Sequence, residues 1–515
     1  MGYRRGVFLL GLVFYVLGFR LAWIFIFAGD IPYLDQWYYE AGRLYPAWES
    51  GTLGWETLLA AHNEHRPLWT GLVNLWVYEA SGWDSYGQML VSALLATAAF
   101  LMVCRMLRPT GEAKEGGFAA LLVFIAVLFS LPLDWSNLLV GFQTQFYFLL
   151  LFGVLHLGWV LRASRIGLQW GLGWGIGMAG LFSMAAGLLA PLAVAVVSGI
   201  LGGRMGESRG LRVINVVLGV GVAGLGWWIL PDLLSVEGQT GEVTLGTVFR
   251  AWMQALSWPF YKLPIPGLLV WAPAVVFIWR RILRDRTALD KDVIFSVGMA
   301  IWVLGLSAAI AVARPETVAN RYFGLLALGV IANANFLRHL LFVSAGGGFP
   351  RTKGSLQTAA ALWLGLVLPA IGYLGIKHLS HEMPRFRTQQ LTSWVVLSDY
   401  LDTGAWPAEP LTFPHELPYP DRQELGGWMG AQWFTERGPH SLRPSFRESL
   451  KPGPGVKEER VRGSAVNYLL LVDPWPESPG GRWIRWGIFS FPLWFGAGGL
   501  LLFRDWRELL FGRGS

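Results

Sequence analysis

Residues 62–80 read HNEHRPLWTGLVNLWVYEA, a polar cluster that runs into a short apolar stretch. Whether that stretch crosses a membrane decides which side every later loop faces. A spanning helix needs about 20 consecutive apolar residues. The stretch 67–80 is shorter, opens on Pro67 and carries Glu79 near its end. Those features suit an amphipathic helix lying on the membrane face.

The rest of the chain sets the context. Of 515 residues, 54% are hydrophobic and 15% charged, against about 25% charged in a soluble domain. Apolar runs of spanning length recur at 7–29, 86–107, 117–133, 141–161, 167–183, 187–201, 211–231, 264–280, 293–313, 322–342, 356–376 and 486–503. The pair 167–183 and 187–201 is short enough to be one kinked or re-entrant segment. The expected fold is therefore an all-α polytopic membrane protein of about 12 transmembrane helices. The run 7–29 follows Arg4 and Arg5 but exceeds a signal-peptide core and lacks a small-x-small cleavage site, so it reads as a retained first span. The single cysteine, Cys104, lies inside an apolar run, which excludes a disulfide framework and a thiolate metal site.

Charge placement tests the reading of 67–80. With that stretch outside the membrane, most Lys and Arg fall on the side of both termini, including Arg4, Arg5, Arg105, Arg108, Arg162, Arg165, Arg280 and Arg281. Short loops on the other side hold only Arg43, Arg66, Arg250, Lys262, Arg314 and Arg321. The positive-inside rule then places both termini in the cytoplasm. Counting 67–80 as a span would reverse that distribution. The net charge of +7 thus follows from topology, and nucleic acid is not an expected partner. Many of the 28 tryptophans fall near span ends, as an interfacial aromatic belt requires.

Three outer segments follow: the first outer loop 30–85, the loop 232–263, and a polar insert 377–485. The domains expected are a membrane core over 1–376, an extracytoplasmic domain over 377–485, and a last helix with cytoplasmic tail over 486–515. The insert is long enough for a small α/β or irregular domain. NYLLLVD (467–473) reads as a strand and 421–437 as a helix.

The first outer loop is the densest polar cluster. Asp30, Asp35 and Glu40 follow the first span, and a partly desolvated carboxylate there can have a raised pKa and accept a proton from a hydroxyl. The plainer reading is that such acids only hydrate the loop. On a helix, His62 and His65 would share one face and could hold a divalent metal with Glu64 or Asp35, although the spacing is not HExxH. Arg66 is suited to bidentate phosphate binding. VARPETVANRYFG (312–324) adds Arg314 and Arg321 in one short outer loop. Asn137, Gln143 and Gln145 could bond sugar hydroxyls, or simply satisfy one another between helices.

This pattern resembles the polytopic glycosyltransferases of the C fold type, which include protein mannosyltransferases and aminoarabinose transferases. YLDQWYYEAGRLY (33–45) stands where that family has an acidic motif, and HNEHRPLW (62–69) where it has a His-Pro-Pro-Leu-like segment. SGWDSYGQMLVSALLATAAFLMVCRML (81–107) is similar to its next segment, and NRYFGLLALGVIANANFL (320–337) to its late Arg-Tyr span. HNEHR, GFQTQF and SMAAGLLAP together are similar to a bacterial branch. This chain has Asp35-Gln36 where many members have Asp-Glu, and one proline rather than two.

The resemblance covers about residues 1–376 and implies an inner-membrane enzyme. It would move a sugar from a polyprenyl-phosphate donor to an envelope lipid, glycan or protein acceptor, with inversion. Asp35 would be the catalytic base. Arg321, Arg66 and Arg314 would bind phosphate, and His62, His65, Glu64, Glu40, Tyr322 and Gln143 would line the substrate site. No cofactor is required by this reading, and a divalent metal on the histidines is the alternative. A non-catalytic transporter or envelope-assembly scaffold is the competing function, hinted at by Arg20 inside the first span and by the short pair 167–201.

Overall fold

The computed structural model describes residues 2–109, 117–230, 244–263, 266–284, 288–315, 318–343, 353–407, 411, 416–449, 479 and 483. The expected strand 467–473 and last span 486–503 lie outside them. Among the described residues there are α-, 3-10- and π-helices and no strand, only an isolated bridge between His62 and His65.

In chain order the main helices are α1 (Gly2–Phe27), α2 (Leu68–Ser81), α3 (Ser85–Met106), α4 (Phe118–Ser130), α5 (Thr144–Leu161) and α6 (Leu168–Gly180). Then come α7 (Leu189–Leu201), α8 (Arg209–Ile229), α9 (Lys291–Ala313), α10 (Phe323–Arg338), α11 (Lys353–Lys377) and α12 (Met383–Thr403). Eight helical segments among the described residues are long and apolar enough to cross a membrane, by length and composition. The chain is an all-α polytopic membrane protein. Helix α2 has 14 residues, so it rises about 21 Å, short of the roughly 30 Å hydrocarbon core. It stops at Gly82, whose φ of 76° lets the chain reverse. Asp84 then caps α3 by accepting from the Gly87 N–H at 3.1 Å.

Two expectations are corrected. The run 264–280 is not one span: it forms Pro266–Val270 and Ala272–Phe277, separated at Trp271, with Pro273 starting the second piece, and ends in a π-helical turn, Ile278–Arg284. Arg20, the charge inside the first span, has its own partners. It is buried, donating to Phe129 O at 2.9 Å and the Tyr147 hydroxyl at 3.0 Å, and it pairs with Asp134 at 3.4 Å. A charge inside a span is stable when such partners surround it. The segment 421–437 is two helices, Arg422–Met429 and Gln432–Arg437, because Gly430 ends the first and extended Ala431 starts the second.

The spans pack through small residues. A Cβ on Gly219 of α8 would stand 2.6 Å from Pro191 O of α7, so only glycine permits that approach. A second core lies outside the spans. Trp37, Tyr39, Tyr45, Tyr78 and Trp83 of the first outer loop are buried together with Leu397, Leu425, Met429, Phe434 and Leu442. Helix α11 passes through a π-helical turn, His378–Glu382, straight into α12. The insert therefore begins as an extension of a spanning helix and folds back over the first outer loop.

Candidate functional site

The stretch 62–65 is a tight turn, not a helix. His62 N donates to His65 O at 2.8 Å and His65 N to His62 O at 3.0 Å. Asn63 supplies the left-handed residue, with φ 49°, a conformation asparagine tolerates better than most side chains. The histidines therefore face each other across a turn, and the expectation that they share a helix face is corrected. Leu34, immediately before Asp35, has φ 47° and is held by its N–H bond to Pro418 O at 2.9 Å. These are the only two non-glycine residues with positive φ among the described residues. Each such strain costs about 1–3 kcal/mol and persists where surrounding structure imposes it. Both flank the same cleft.

That cleft is lined by Asp35, His62, Asn63, Glu64, His65, Gln145, Phe146, Arg314, Arg321 and Tyr322. Its void of about 20 Å³ holds roughly one water, and Arg314 in its lining is partly exposed. Asp35 Oδ1 stands 3.3 Å from His62 Nε2. The His62 ring is 3% exposed, wedged against Tyr39 and Phe142 with ring centroids 5.4 and 5.0 Å away. Glu64 Oε1 lies 3.6 Å from His65 Nε2 and 3.9 Å from Arg314 Nη2.

The His65 tautomer follows from its neighbours. Nδ1 accepts from the Ala185 N–H at 3.2 Å, so the ring proton sits on Nε2, facing Glu64. Burial lowers the His65 pKa against the pull of Glu64, which keeps the ring neutral at pH 7. For Asp35, burial works to raise the pKa, yet His62, Arg321 and His65 together hold it below its ordinary value. The raised pKa expected of Asp35 is thereby corrected: it is a carboxylate poised in its ionised form.

Arg321 occupies a 3-10 turn, Asn320–Tyr322. The turn is pinned where Asn137 Nδ2 donates to Arg321 O at 2.6 Å and Ser136 Oγ to Asn320 Oδ1 at 2.6 Å. Its guanidinium lies 5.8 Å from the Tyr322 ring centroid and makes no hydrogen bond or ion pair among the described residues. Gln145 Oε1, Glu64 Oε2 and His62 Nδ1 are buried without a partner in the same cleft. These unspent polar atoms share the cleft with Arg321, which has no partner among the described residues, and with Arg314, which is paired with Glu64.

Three sequence candidates lie elsewhere. Arg66 donates from Nε to Ile229 O at 2.8 Å and from Nη1 to Leu59 O at 2.5 Å. It neutralises the carbonyl end of α8, and phosphate would have to displace both bonds. Glu40 is 0% exposed. Its Oε2 accepts from Tyr45, Trp83 and Gln88 at 2.8, 2.6 and 2.9 Å, and its Oε1 from Asn74 at 2.9 Å. Burial raises its pKa to about 7 in spite of those bonds. Gln143 turns away and accepts from Gln145 Nε2 at 3.4 Å. The 3-10 turn Gly141–Gln143 shifts the phase of α5, so Gln145 rather than Gln143 lines the cleft. Among the described residues, no group of three or more His, Cys, Asp or Glu is arranged to hold a metal ion. The two histidines address different carboxylates, and a shared ion would require them to turn.

Fold and cleft define a polytopic helical membrane protein with a charged pocket built by the loop 30–85 and the turn before α10. No family model matches the chain, and no curated protein matches it. The chain is similar to the crystal structure of ArnT from Cupriavidus metallidurans bound to undecaprenyl phosphate. The identity is 15% over 86% of this chain and 91% of that one, with a TM-score of 0.41.

Proposed function

We propose that this protein is an integral-membrane glycosyltransferase of a bacterial plasma membrane. In this reading it moves a sugar from a polyprenyl-phosphate donor to an envelope lipid, glycan or protein acceptor on the extracytoplasmic face, with both termini in the cytoplasm. The observation that carries the reading is the placement of an ionised Asp35 in one cleft with the guanidinium of Arg321, which has no partner among the described residues.

The chemistry follows from that pairing. An acceptor hydroxyl attacks the anomeric carbon from the face opposite the phosphate, forming one C–O bond as the sugar–phosphate bond breaks. The anomeric centre inverts through an oxocarbenium-like state. Asp35 takes the hydroxyl proton late, when bonding to the anomeric carbon has made that proton acidic, so a low carboxylate pKa suffices. The electron pair leaves on the phosphate, and Arg321 with Arg314 stabilises its charge. His62, beside Asp35, fixes the carboxylate. His65 and Glu64 set the position of Arg314. Arg66 and Glu40 hold the scaffold and touch no substrate.

The test is transfer of radiolabelled sugar from polyprenyl phosphate to envelope lipids by purified wild type and Asp35→Asn. Loss of label transfer in the variant, with donor binding retained, is expected. Equal transfer by both proteins would overturn the assignment of Asp35, and failure of wild type to bind any polyprenyl phosphate would favour a scaffold.

A further inference from the structure

A second pocket opens between the end of α1 and the insert, lined by Ala28, Gly29, Asp30, Ile31, Tyr86, Arg387, Gln390, Leu391, Trp394 and Ser441. Its void of about 40 Å³ exceeds the space one water needs. The polar groups that face it are deeply buried: Asp30 is 5% exposed, Gln390 3% and Ser441 6%. Asp30 is anchored through Oδ2, which accepts from the Ser441 N–H at 2.9 Å. Among the described residues its Oδ1, the Gln390 Oε1 and the Ser441 Oγ have no hydrogen-bond partner by geometry, and the Ser441 side chain lies near enough to the Asp30 carboxyl to favour its charge.

Unspent buried polar atoms cost about 1–3 kcal/mol each, and here three converge on one void. Gln390 Oε1 is an acceptor, and Asp30 Oδ1 is one when ionised, so these atoms suit a hydrogen-bond donor. Arg387 stands in the same wall, with Nη1 donating to Ile26 O at 2.7 Å, and its positive charge disfavours an ammonium group. Trp394, Tyr86, Leu391 and Ile31 supply the apolar remainder. Trp394 is fixed by its own bond to Ser441 O at 3.0 Å. Neutral donors on an otherwise apolar ring describe the edge of a pyranose, whose hydroxyls bond outward while its C–H face packs on an aromatic ring.

From this arrangement we infer a second binding site that docks the hydroxyl-bearing edge of a sugar through Asp30, Gln390 and Ser441. The site is separate from the Asp35 cleft and stands whether or not that cleft transfers glycosyl groups. Burial raises the Asp30 pKa to about 7, which agrees with a carboxyl that meets hydroxyls rather than a cation. Gly29 belongs to the design, because a Cβ there would lie 2.8 Å from Gln390 Oε1 and push the amide out of place.

Saturation-transfer NMR on the full-length protein in lipid nanodiscs tests this, with methyl hexopyranosides as one probe and ethylammonium as the other. The hexoside should bind. Ser441→Ala, Asp30→Asn and Gln390→Met should each weaken it about tenfold, as expected when a buried group loses its partner. Ser441→Ala removes one hydroxyl and should keep its melting temperature, which guards against misfolding. Binding of ethylammonium in preference to the hexoside would overturn the inference in favour of a cation. Absence of hexoside binding, or binding unchanged in all three variants, would leave these oxygens to structural water and overturn it as well.

Discussion

At the residue scale, the two arginines of similar promise in the sequence have opposite fates. Arg66 is consumed by two carbonyls, whereas Arg321 lines the cleft with no hydrogen bond or ion pair among the described residues. Arg321→Gln should therefore cut transfer by about 10²–10³-fold while leaving the melting temperature near wild type. Arg66→Gln should do the reverse, costing about 1–3 kcal/mol of stability with little change in donor affinity. Paired thermal and transfer assays on both variants distinguish them; matching losses would refute the division of roles. Glu40 makes a pH prediction. Its pKa is raised from 4.5 to about 7 in the folded chain, so the folded state binds the extra proton. Stability from this group is full below pH 4.5 and is lost as pH rises through 7, by on the order of 3 kcal/mol. Glu40→Gln should flatten that slope, because Asn74 Oδ1 is unpartnered and a turned Asn74 amide can meet the new NH₂. The resemblance marked Asp35, His62, His65, Arg66 and Arg321 together; the structure brings Asp35, His62, His65 and Arg321 to one cleft and leaves Arg66 outside its lining. The place of Arg66 was not legible because a carbonyl partner 163 residues away has no trace in local sequence.

At the scale of elements, spans were legible because hydrophobicity accumulates over a whole helix, so one turn more or less changes nothing. Turns were not. HNEHR reads equally as a helix start or a hairpin, and the choice was made by Asn63 and by the backbone pairing of His62 with His65. The link between α6 and α7 is similarly tight. A Cβ at Gly187 would collide with the backbone carbonyl of Gly180, and Ala185 in the same 3-10 turn holds His65. Gly187→Ala should destabilise the protein by about 1–3 kcal/mol and reduce transfer by releasing His65. Adding Glu64→Gln removes the carboxylate that faces His65 Nε2. If the transfer losses of the two changes simply multiply, the proposed coupling through His65 is wrong.

At the scale of the molecule, sidedness is the strongest inference from sequence and can be tested directly. The single native thiol, Cys104, is buried, so background labelling should be low. Cysteines at the exposed positions Thr52 and Arg422 should react with an impermeant thiol reagent in intact spheroplasts. One at Arg165 should react only after permeabilisation. The opposite pattern would invert the topology. The insert was the least legible part, because it is defined by contacts and not by pattern. Asp30 and Ser441 meet across 411 residues, and the shared aromatic core joins 37–83 to 425–442.

The unbroken run from α11 into α12 has a mechanical consequence. Residues 354–403 form one 50-residue helical rod, about 75 Å long at 1.5 Å per residue. Spanning helices answer a change in bilayer thickness by tilting. A tilt of about 10° swings the outer half of such a rod by roughly 7 Å at its tip. Arg387, Gln390 and Trp394 ride on that half, across the pocket from Asp30 in the segment after α1. The width of the pocket beside Asp30 is therefore expected to change with lipid chain length, which a label-to-label distance across it in nanodiscs of short and long lipids would check.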